Sequence, residues 1–125
     1  MTTTSTEGGL TPTNPEDAKI ITLARSALAR TGAAEGACVR DTDGRTYAAA
    51  SVRLPHLRLS ALVVAVALAV SSGADGLEAA ALAGAGEPAE DDLAVLADLP
   101  GTDVVLWHVD PRGAVRGRLD VRAAR

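Results

Sequence analysis

Apolar and polar positions divide the chain into segments of different period. Ile20, Leu23, Ala24, Ala27 and Leu28 recur at helical spacing, with Lys19, Arg25 and Ser26 off the stripe. Asn14 as N-cap, Pro15 at the first helical position and the acids Glu16 and Asp17 start this helix, which runs to about Arg30 before Gly32 terminates it. Gly36 to Arg40 and Thr46 to Val52 flank the turn signal Asp43-Gly44 and read as a β-hairpin, despite the poor strand propensity of alanine. A connection through Pro55 leads to Leu57–Ser72, whose centre from Ala61 to Val70 has no polar face. Its length, its small alanines and the Ser71-Ser72-Gly73 ending predict a core helix covered on every side, although its valines also suit a buried strand.

The remainder alternates. Leu77 to Ala83 reads as a strand, Pro88 to Leu99 as an acid-capped helix, Asp103 to Val109 as a strand, and Val115 to Val121 as a weaker strand after the turn Asp110-Pro111-Arg112-Gly113. Two strands joined by a helix suggest a parallel βαβ crossover. The order predicts an α/β fold, a mixed sheet of about five strands with helices on both faces. Residues 1–13, rich in Thr, Gly and Pro, bury too little to offset ordering and read as a flexible tail before one domain over 14–125.

Composition narrows the function classes. Hydrophobic residues make up 47% and the net charge is −4, with scattered arginines that form no stripe for nucleic acid. The apolar run Ala61 to Val70 is half of the roughly 20 residues a membrane span needs. Cys38 is the single cysteine, which excludes an internal disulfide, and the first residues have neither the basic nor the apolar region of a secretory signal. The expectation is a cytoplasmic protein without nucleic-acid or membrane partners.

Particular residues add a resemblance. Glu35-Gly36-Ala37-Cys38 keeps the middle of a first-strand motif Val-Gly-Ala-Ala, and Asp43-Gly44 precedes Tyr47 as an Asp-Gly turn precedes an aromatic residue. Ser60-Ala61-Leu62-Val63, running to Ala69-Val70-Ser71-Ser72-Gly73, lines up with a helix that opens Cys-Ala-Glu-Arg. Pro88-Ala89-Glu90-Asp91-Asp92 lines up with Pro-Cys-x-x-Cys. From Pro15 to Val121 the chain thus resembles the small cytidine deaminases, and the resemblance implies their three-layer α/β/α sandwich and a homo-oligomer, dimer or tetramer.

The chemistry of that family needs three zinc donors, a metal-bound water and a glutamate that shuttles protons. The resemblance puts Ser60 at the first ligand, Leu62 at the catalytic glutamate, and Ala89 and Asp92 at the two cysteines. Serine is a poor zinc donor, alanine offers none, and leucine transfers no proton. The family's ribose-contacting Asn-x-Glu-Asn maps near Ser51-Val52-Arg53-Leu54. The expectation is therefore a degenerate member without zinc or catalytic residues, serving as a binding or assembly module, with Ser51, Arg53 and His56 at the rim of the former pocket. If the pocket has been filled, Leu62 and Ala89 should bury against each other; if it is open, it should take a ligand. The alternative is a working nucleoside hydrolase with rearranged catalytic residues.

Other sites stand beside plainer readings. An alternative zinc site requires Cys38, His56 and an acid to converge by chance, and His56 also reads as a loop residue and Cys38 as a packed strand residue. Ser51 or Ser60 with His56 and an aspartate could form a triad, but no nucleophile-elbow motif is present. Glu87, Glu90, Asp91 and Asp92 suit a helix start on dipole grounds alone. Trp107 and Tyr47 read as packing surface or ligand-facing aromatics. Arg53 and Arg58 read either as solvated residues or as an anion site.

Overall fold

The computed structural model describes residues 11–124. Of the tail expected over 1–13, residues 1–10 lie outside the described residues. Helix α1 spans Pro15–Thr31; Asn14 Oδ1 caps it by accepting from Glu16 N at 2.8 Å, and Gly32, at φ 67°, ends it. This is the start and stop that Asn14, Pro15 and Gly32 predict.

Strands β1 (Glu35–Asp41) and β2 (Thr46–Ala50) form the expected antiparallel hairpin around Gly44, whose φ is 88°. Next comes a two-residue ribbon, β3 (Val52–Arg53) against β4 (Arg58–Leu59). The expected helix over Leu57–Ser72 therefore begins later: α2 spans Ala61–Ser71 because Ser60 caps it, accepting from Val63 N at 3.3 Å. Strand β5 (Leu77–Gly84), helix α3 (Glu90–Ala97), strand β6 (Val104–Val109) and strand β7 (Val115–Val121) complete the chain. Pro88 and Leu99 fall outside α3.

The strands form one five-stranded sheet in the order β2-β1-β5-β6-β7. β5 and β6 pair in parallel across α3, as the strand-helix-strand pattern requires, and the other neighbours are antiparallel. Helix α1 covers one face, where Ile20 and Ala24 meet Cys38, Ala81 and Trp107. Helices α2 and α3 cover the other, where Leu62, Val66 and Leu96 meet Val39, Leu82 and Leu106. The result is the expected α/β/α sandwich.

Gly36 lets α1 lie directly on β1. A Cβ there would meet the Ala24 carbonyl and come within 2.7 Å of Leu28 N. Arg40, on the same strand, carries a buried network: its guanidinium reaches Asp17 at 2.9 Å and Glu78 at 2.8 Å, while Trp107 Nε1 donates to Asp17 Oδ2 at 3.1 Å. Asp17 therefore does more than complement the dipole of its helix.

The α2 helix is not covered on every side. Ala61, Leu62, Ala65, Val66 and Ala69 are buried, but Leu68 is 43% and Val70 48% exposed. A sheet covers only one side of a helix, and α3 takes only part of the remainder. An apolar stripe is left bare within the chain.

Candidate functional site

Three helix and strand ends meet beside Ser60. The β1 end supplies Glu35, whose backbone N–H donates to Ser51 Oγ at 3.2 Å and whose Oε1 accepts from Ala61 N at 3.3 Å. Ser60 Oγ, already the cap of α2, donates to Asp92 Oδ1 at 2.5 Å. Asp92 is 2% exposed, and its other oxygen accepts from Ala89 N at 3.1 Å, closing the first turn of α3. One carboxylate thus ties the starts of α2 and α3 together.

An open cavity of about 870 Å³ borders this clasp. Glu35, Ser51, Arg53, Arg58 and Ser60 line it, with Gly32 to Ala34 on one side and Ala85-Gly86 on another. Two of the expected rim residues, Ser51 and Arg53, are among its walls. His56 is not; it lies exposed at the tip of the β3-β4 ribbon, where Leu54 and Leu57 close the turn. Leu62 is fully buried in the core, whereas Ala89 is exposed, so the two do not fill the space together.

The other arrangements considered do not assemble. Cys38 is buried on the α1 face, and burial pushes its thiol up to about 11, the behaviour of an inert core cysteine. Ser51 and Ser60 bond to Glu35 and Asp92 rather than to an imidazole. His108 is buried on β6, its Nδ1 3.7 Å from Glu87, away from Ser60's partners. Tyr47 donates to Asp41 at 2.8 Å and serves the hairpin turn. Among the described residues no three His, Cys, Asp or Glu side chains converge as metal ligands.

A family model described as cytidine deaminase-like matches residues 13–113. The chain belongs to the cytidine deaminase-like family. Its fold is that of solved deaminases. Cytidine deaminase from Burkholderia pseudomallei superposes with a TM-score of 0.66 at 23% identity, over 80% of this chain and 89% of that one. A mutant cytidine deaminase from Mycobacterium tuberculosis gives 0.62 at 24% identity, over 71% and 82%. The enzyme from Mycobacterium leprae gives 0.60 at 18%, over 80% and 91%. A search of curated proteins gives no match.

The donor set of this deaminase-like chain does not suit the zinc that the family resemblance implies. Ser60 and Asp92 spend their oxygens on each other and on helix N–H groups, Ala89 has no side-chain donor atom, and among the described residues no thiolate or imidazole joins them. The sequence shows Ser60 and Asp92 as separate positions but not their bond, and it shows Glu35 only as part of a strand motif. A serine and an aspartate 32 positions apart carry no local signal of contact.

Proposed function

We propose that this deaminase-fold chain is a binding and assembly module that does not carry out zinc-dependent deamination. The observation that carries the reading is the Ser60–Asp92 hydrogen bond at 2.5 Å. Two residues at the positions that the resemblance gives to zinc ligands act instead as a structural clasp. The open cavity beside the clasp supports binding, because a site retained only for packing would be filled. The exposed face of α2, which carries Leu68 and Val70 in its last turn, supports assembly with further copies of the chain.

The same open cavity also favours the second reading, a nucleoside hydrolase with rearranged residues. That reading needs an activated nucleophile, and Ser60 is held by a carboxylate that is itself committed to a helix start. Metal content of the purified protein, with cytidine deamination assayed in added zinc, separates the two. The expected result is no bound zinc and no uridine. Stoichiometric zinc with turnover would sink the binding-module reading. The variant combining S60C, A89C and D92C is expected to gain zinc, because it restores three thiolates at the implied positions.

A further inference from the structure

Arg53 and Arg58 stand directly opposite each other across the β3-β4 ribbon. Both line the cavity and both are exposed. Neither side chain has an ion-pair or hydrogen-bond partner among the described residues. Like charges directly opposite on paired strands repel, and this ribbon is only two pairs long, so it has little else to offset them. An anion seated between the guanidiniums removes the repulsion. Their forked donors match the oxygens of a phosphate, which accepts parallel hydrogen bonds from them.

The surroundings fit such a guest. The cavity sets two guanidiniums against the single carboxylate of Glu35, whose Oε1 already accepts from Ala61 N. The chain as a whole carries −4, so the attraction for anions is local to this cavity and not a property of the surface at large. Ser51 Oγ accepts from Glu35 N and keeps its own proton to donate. A volume of about 870 Å³ exceeds what a bare phosphate needs and falls among ordinary small-molecule sites, and Ala33, Ala34 and Ala85 provide apolar wall.

We propose that this cavity binds a phosphorylated small molecule of nucleotide size, with its phosphate between Arg53 and Arg58 and its organic part against Ala33, Ala34 and Ala85. The assignment rests on the reading of the chain as a binding module and gives that module's ligand a chemical class.

The test is calorimetric titration of the purified protein with CMP, cytidine and inorganic phosphate at low and high salt, repeated on Arg53→Gln and Arg58→Gln. Thermal unfolding of each variant confirms that it folds, as expected for exposed positions. CMP should bind more tightly than either cytidine or phosphate, and more weakly as salt rises. Each replacement should weaken CMP binding about tenfold or more, the cost of a lost hydrogen bond to a charged group. Equal affinity for CMP and cytidine, no CMP binding at millimolar concentration, or unchanged affinity in both variants overturns the phosphate site. Phosphate binding as tight as that of CMP overturns the organic part of the assignment. Zinc content and cytidine turnover of the same preparation judge the broader reading separately, since arginine-dependent CMP binding neither requires nor excludes them.

Discussion

The guanidinium of Arg40 lies 2.9 Å from the Asp17 carboxylate, joining the central sheet to helix α1 through a buried ion pair. Burial disfavours the cation, but the bonds to Glu78 and Asp17 outweigh it and hold the Arg40 pKa above its ordinary value. Arg40→Ala would leave Asp17 a buried carboxylate without its cation. We expect a loss of about 3–5 kcal/mol in denaturant unfolding. Glu78, whose side chain is 35% exposed, should cost far less when replaced by alanine.

The Ser60–Asp92 clasp predicts energetic coupling between two helix starts. Ser60→Ala and Asp92→Ala should each cost about 1–3 kcal/mol, from the lost cap and the lost hydrogen bond. The double variant should cost less than the sum, because either single change already breaks the bond. A double-mutant cycle in urea measures this; strict additivity would show that the bond contributes nothing.

Acid should loosen the hairpin turn. Burial of Asp41 favours the neutral acid, yet the bonds from Tyr47, Arg45 and Asp43 prevail and lower its pKa. A carboxylate whose folded pKa lies below its unfolded value, about 3.9, contributes stability that is complete above that pH and lost as pH falls through the folded value. Asp41→Asn should therefore lower stability at neutral pH and flatten its fall below about pH 4. Melting temperatures from neutral to acid pH would show whether the two curves converge.

Leu68 and Val70 offer a direct handle on assembly. If copies assemble through α2 as proposed, replacing both with glutamate should leave the fold intact, since each is nearly half exposed in the chain, and should lower the assembled mass toward that of one chain. Sedimentation velocity reads the change. Unaltered mass would remove α2 as the contact.

Cys38 should be silent toward thiol reagents in the native protein and react at once in denaturant. Its burial and a pKa near 11 leave almost no thiolate at neutral pH. Rapid native labelling would mean that β1 opens readily.

Much of the fold was legible because local signals agreed. Asn14 and Pro15 start a helix, Asp43-Gly44 turns a hairpin, and three acids just after Pro88 open α3 before a parallel strand. The ends were less legible. Leu57 and Leu59 lead an apolar pattern into α2, and only the capping bond of Ser60 shows where the helix begins. Strand β5 contains four alanines, a residue poor in strands, and is nonetheless the centre of the sheet because both its faces are buried. At the site, Ser51, Arg53, Ser60 and Asp92 were visible as single positions. Their relations were not, because the register of the β3-β4 ribbon and the meeting of α2 with α3 join residues through space.

The position of β1 within the sheet sets an order for its completion during synthesis. It lies between β2, which follows at once, and β5, which begins only at Leu77. While the intervening residues are being made, the β5-facing edge of β1 has no partner, and α2, apolar throughout its length, emerges before the sheet on which it rests is wide enough to shelter it. An open strand edge and a greasy helix are the surfaces on which nascent chains associate. The interval between the emergence of α2 and that of β5 is thus when this chain most needs chaperone cover; the arrival of β5 pairs the open edge of β1 and widens the sheet under α2, while Leu68 and Val70 stay bare.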